Sequence, residues 1–194
     1  MQHRQIKGLI AWLLAFALAA SLGGCGAGTP ASAARPYASA PAGGPESAPS
    51  GVVSQDGSLT LEWDAARRAL LLKQDGGLLW SSMPYEQYLY QDLQGAAMRY
   101  LESHLLLEYI DPVNQQLHTV NSYTGVNEKG RLVAERIDGG IRLTYCFEEE
   151  RIAVPVEYRL TGGALEAAVV TADICEDENL IYSLSVLPYA ASVA

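Results

Sequence analysis

The chain has 194 residues, 49% of them hydrophobic and 18% charged, with 13 Lys and Arg against 22 Asp and Glu. Arg4 and Lys7 are the only charged residues before position 25, so the rest carries 11 basic against 22 acidic residues, a net charge near −11. That balance argues against nucleic acid and anionic lipid head groups as partners, because both require clustered Lys and Arg.

The N-terminus reads as a targeting segment. Arg4 and Lys7 form a short positive region, and residues 9–20 then run without a polar side chain. The run is short of the roughly 20 apolar residues that span a bilayer and fits the core of a secretory signal. Leu22-Gly23-Gly24-Cys25 resembles the bacterial lipobox: an apolar residue, two small residues, then a cysteine whose thiol takes up diacylglycerol. Cleavage would make Cys25 the first residue of a lipoprotein. Each buried CH₂ contributes about 0.8 kcal/mol, so two or three acyl chains on Cys25 anchor stably where one would not. The expected division is a signal peptide at 1–24, a linker at 25–51 and a folded domain at 52–194. The linker is nearly all Ala, Gly, Ser, Pro and Thr, with Arg35 and Glu46 its only charges, and is expected to be disordered.

From position 52 apolar residues alternate and turns recur at short intervals. Leu59, Leu61 and Trp63 share one face of a strand. A second run covers 68–73, and Asp75-Gly76-Gly77 turns it into Leu78-Leu79-Trp80, a β-hairpin. Residues 84–99 place Tyr85, Leu89, Leu93, Ala96 and Ala97 near helical spacing, with Ser82 as a candidate N-cap; a short helix and an irregular loop fit equally. Strands are expected at 103–110, 117–124 and 132–137. Asp138-Gly139-Gly140 then turns into a strand with Ile141, Leu143, Tyr145 and Phe147 on one face. Ile152, Val154, Val156, Tyr158 and Leu160 repeat the pattern, with Pro155 on the opposite face marking an edge or a bulge. Runs at 165–171 and 180–187 complete about ten strands, the second with Leu180, Tyr182, Leu184 and Val186 in phase. The fold class is therefore all-β, an antiparallel β-sandwich with one short helix or irregular insertion. The chain stops shortly after its last strand; a natural terminus and the front part of something longer fit that ending equally.

Five segments in order, Leu78-Leu79-Trp80-Ser81-Ser82-Met83-Pro84, Leu105-Leu106-Leu107-Glu108-Tyr109, Val120-Asn121-Ser122-Tyr123-Thr124, Val154-Pro155-Val156-Glu157-Tyr158 and Ser183-Leu184-Ser185-Val186-Leu187-Pro188, carry a resemblance. It resembles the N-terminal region of large surface lipoproteins and secreted proteins of Gram-positive bacteria, in which a β-sandwich of galactose-mutarotase-like type precedes a barrel similar to glycoside hydrolases. The resemblance implies a carbohydrate-linked setting. It carries no catalytic residue into this chain, because barrel glycosidases hold their paired carboxylates at the ends of barrel strands.

Few constellations point to chemistry. Glu148-Glu149-Glu150 and Glu176-Asp177-Glu178-Asn179 read as solvated acidic loops, and the spaced calcium-loop pattern is missing. No metal or other cofactor is expected. His104 and His118 lie within strand patterns and read as structural or exposed, with no nucleophile elbow to serve. Cys146 and Cys175 read as buried free thiols rather than a disulfide. Tyrosines are the most suggestive group, since aromatic faces stack on sugar rings and the hydroxyl adds a hydrogen bond. Tyr85, Tyr88, Tyr90, Asn121 and Tyr123 are the candidate substrate-binding residues; Asn121, Ser122 and Tyr123 either line a cleft or bridge backbone groups at a strand end. The favoured reading is a non-catalytic carbohydrate-binding or accessory module of a glycosidase-like protein, with the membrane as partner through Cys25, polysaccharide as ligand, and a downstream domain beyond this chain. The alternative is an independent hydrolase of surface glycans whose carboxylates are unplaced.

Overall fold

A computed structural model of the chain describes residues 34–42, 48–83 and 95–188. Cys25, the signal segment and Tyr85, Tyr88 and Tyr90 lie outside the described residues. Within them the fold is all-β and sandwich-like, built of antiparallel sheets. β1 (Gly51–Asp56), β2 (Leu59–Asp64), β3 (Ala69–Gln74) and β4 (Gly77–Ser81) form a meander in that order. β5 (Leu105–Asp111) and β6 (Gln116–Asn121) form a second sheet with β12 (Leu180–Val186) on the other side of β5. β7 (Arg131–Ile137), β8 (Gly140–Phe147), β9 (Ile152–Thr161) and β10 (Ala164–Val169) form the third, and the two-residue β11 (Cys175–Glu176) also pairs with β9. One helix, α1 (Ala96–Leu101), precedes β5.

Period-two alternation explains the core. Ile141, Leu143, Tyr145 and Phe147 of β8 and Ile152, Val154, Val156 and Tyr158 of β9 are buried together with Leu61, Trp63 and Leu70 of the meander and Leu105 and Leu107 of β5. One core thus joins all three sheets. Fully burying a side chain of this size contributes about 1.5–3 kcal/mol relative to exposure. The turn at Asp138-Gly139 is as read from the sequence, with Gly139 at φ +69°, a conformation glycine adopts without a Cβ penalty.

Four expectations are corrected. Residues 122–124 do not continue β6: Tyr123–Glu128 form a π-helical turn against the core, where a Cβ on Gly125 would come within 2.6 Å of Phe147 Cδ1. Pro155 lies in an interior strand. The side of β9 away from β8 is shared between β10, which pairs from Val156 onward, and β11, which pairs with Ile152 and Ala153. Pro155 sits in the gap, its carbonyl accepting from the Val170 amide, so its missing N–H takes nothing from the β8 ladder. The phase of β12 breaks where its register with β5 shifts between Ile181 and Ser183. Ile181, Leu184 and Val186 pack on the core, while Tyr182 is 63% exposed.

The fourth correction concerns the linker. Residues 34–42 are a strap seated on the face of the third sheet that points away from the core. Arg35 bridges in parallel to Cys175, Tyr37–Ser39 make one 3₁₀ turn, and the Pro41 carbonyl accepts from Arg131 Nε on β7. Tyr37 is only 6% exposed, packed with Val133, Cys146, Ala153 and Cys175. Ala48 joins the main core and its carbonyl accepts from Trp63 Nε1. One aromatic ring and backbone hydrogen bonds to distant partners hold a segment whose average composition is that of a disordered chain.

Candidate functional site

Two polar clusters stand out. The first lies inside the core. Ser82 Oγ is 2.8 Å from His104 Nε2, His104 Nδ1 is 3.1 Å from the Tyr145 hydroxyl, and that hydroxyl is 3.1 Å from the Tyr158 hydroxyl. Ser82 Oγ also accepts from the Leu70 amide. Ser82 therefore links the meander to the segment leading into β5, while the residues it is expected to cap lie outside the described residues. Burial pushes the His104 imidazole down to about 4, so it is neutral at physiological pH. Placing its proton on Nδ1 gives a consistent chain: Ser82 donates to Nε2, Nδ1–H donates to Tyr145, and Tyr145 donates to Tyr158. Burial also raises both phenols above the ordinary tyrosine range. A serine beside a neutral histidine has the look of a nucleophile and its base. All four side chains are buried, however, and the relay ties three sheets together as a structural element.

The Asn121 corner serves the same scaffold. Asn121 Oδ1 accepts from the Thr124 amide and starts the π-helical turn. Ser122 Oγ accepts from the amides of His104 and Leu105, and the Tyr123 amide donates to Ser103 Oγ. The Asn121 and Ser122 side chains thus bridge backbone groups at a strand end, and Tyr123 joins them through its amide.

The second cluster lies at one end of the sandwich and is partly open. Tyr109 on β5 and His118 on β6 are register partners, and their rings stack with centroids 5.3 Å apart at 22°. The β8–β9 turn carries Glu148, Glu149 and Glu150. Arg131 pairs with Glu148 and Lys129 with Glu149 at the surface, as a solvated loop should. Glu150 departs from that expectation, being only 8% exposed. Asn179 Nδ2 donates to its backbone carbonyl, drawing the turn inward, and its Oε2 has no hydrogen-bond partner. Burial lifts the Glu150 carboxyl above the ordinary carboxylate range. The Tyr109 phenol is likewise raised, first by burial and then by the nearby charges of Glu150, Asp111 and Glu149. The corner thus combines a flat, partly exposed aromatic pair with a buried carboxyl nearby. His118 and Glu150 carried no distinguishing signal in sequence, since strand register sets His118 against Tyr109 and a long-range bond from Asn179 draws the Glu150 turn inward.

The acidic loop at 176–179 is a latch. Asp177 accepts from the Tyr37 amide at 2.7 Å and from Arg151, which hold its carboxyl below the usual range in that order of effect. Glu176 Oε2 accepts from the Ile181 amide. Among the described residues no group of three or more His, Cys, Asp or Glu has metal-holding geometry.

Compared with known proteins, the chain matches no family model, no curated protein and no solved structure.

Proposed function

We propose that this chain is an extracytoplasmic lipoprotein, held at the cell membrane by lipid on Cys25, whose β-sandwich is a non-catalytic carbohydrate-binding or accessory module of a glycosidase-like protein. The observation that carries the binding reading is the Tyr109–His118 stack beside the buried Glu150 carboxyl. Aromatic faces take the C–H surface of a sugar ring, and tyrosine adds a hydroxyl that can hydrogen-bond a ring substituent. The lipobox at Leu22-Gly23-Gly24-Cys25 supports the anchoring.

The test is a polysaccharide array probed with the Cys25→Ala chain. Binding to a bacterial or plant glycan that falls at least tenfold in both Tyr109→Ala and His118→Ala, with melting temperature retained, supports the reading. No signal across the array, or signal indifferent to both substitutions, sinks it. Release of reducing sugar that is lost in Glu150→Gln would instead favour the hydrolase. Anchoring has its own test, since Cys25→Ala should move the protein from the membrane fraction to the medium.

A further inference from the structure

The strap at residues 34–42 has three properties that belong together. First, the fold is complete without it. Every strand from β1 to β12 finds its ladder within the three sheets, and no residue of 34–42 contributes to the main core. Second, it is held by a short set of contacts. The Arg35 carbonyl accepts from the Glu176 amide, the Tyr37 amide donates to Asp177, the Pro41 carbonyl accepts from Arg131 Nε, Arg35 pairs with Asp173 at 3.0 Å, and the Tyr37 ring lies 4.8 Å from the Arg151 guanidinium and 5.9 Å from that of Arg131. Against these stands an uncompensated cost: the Tyr37 hydroxyl is buried with no hydrogen-bond partner. Third, it covers two thiols. Cys146 and Cys175 lie beneath it with Val133 and Ala153, and Ser39 Oγ is 3.6 Å from Cys175 Sγ.

We propose that residues 34–42 form a releasable cover that lifts off the third sheet while the sandwich stays folded, exposing the Cys146 and Cys175 thiols to thiol-reactive partners. A segment whose loss leaves the main core and every sheet intact opens at a free energy well below that of global unfolding. In the closed state burial pushes the Cys146 thiol up to about 11, so it is both shielded and protonated. Lifting the strap removes the cover from both sulfurs in one step. The proposal does not depend on carbohydrate binding or on lipidation.

The experiment uses the full chain with Cys25→Ser, so that Cys146 and Cys175 are the only thiols. Iodoacetamide labelling of each cysteine is followed by mass spectrometry in native buffer. Tyr37→Ala and Asp177→Asn, which weaken the strap, should each speed labelling of both cysteines at least tenfold with the melting temperature nearly unchanged. Leu70→Ala, which weakens the main core, should leave native-buffer labelling close to that of the parent. Equal rates in the parent and both strap variants would overturn the proposal. So would labelling that tracks global stability across all three substitutions.

Discussion

Cys146 and Cys175 face the same side of the third sheet with Ala153 between them, each in register with that alanine on opposite neighbouring strands. Two strand spacings separate their Cα atoms by roughly 9–10 Å. A disulfide needs Cα atoms within about 7 Å, so the pair stays reduced in the folded protein even in an oxidising exterior. In the Cys25→Ser chain, denaturation without reductant should leave both thiols open to alkylation. A mass two hydrogens lighter than the reduced chain would contradict the register.

Stability should fall on mild acidification because of His104. Its folded value of about 4 lies below the ordinary imidazole value of about 6.5, so between these pH values the unfolded chain binds more protons. The contribution is therefore fully present above pH 6.5 and is lost as pH falls toward 4. Its limit is on the order of 3 kcal/mol. Glu150 is shifted the other way, so the comparison must be made against a variant. His104→Gln should flatten the dependence of the melting temperature between pH 6.5 and 4. An unchanged slope would show that the imidazole is not buried in the neutral form.

Tyr145→Phe removes the middle of the buried relay. It leaves His104 Nδ1–H without its acceptor and Tyr158 without its partner, at a cost of about 1–3 kcal/mol in denaturant unfolding. Tyr145→Phe with His104→Leu removes both ends of the broken bond. The pair should cost less than the sum of the two single changes.

Gly125→Ala should destabilise although glycine-to-alanine changes in a helical turn usually help. The added methyl would meet Phe147 Cδ1 at 2.6 Å and Val120 Cγ2 at 2.8 Å. Overpacking of this kind costs about 1–3 kcal/mol. Gly125→Ala with Phe147→Leu relieves part of the clash, and urea midpoints of the single and double variants would show it.

The sequence by itself determined the all-β character, most strand positions and the main core. Leu61 and Trp63, Ile141 to Phe147 and Ile152 to Tyr158 alternate because a strand shows successive side chains to opposite faces, and that period is local. The Gly139 turn is equally local. Tertiary structure alone decided which polar residues are buried and what covers the third sheet. Glu150 reads like its two neighbours until Asn179, 29 positions away, bonds its carbonyl. Pro155 is tolerated inside a sheet because β10 and β11 divide its far edge. His118 meets Tyr109 through register, and the strap is held by partners about 140 positions along the chain. These features depend on contacts between segments far apart in sequence, whose energies no local pattern or average composition carries.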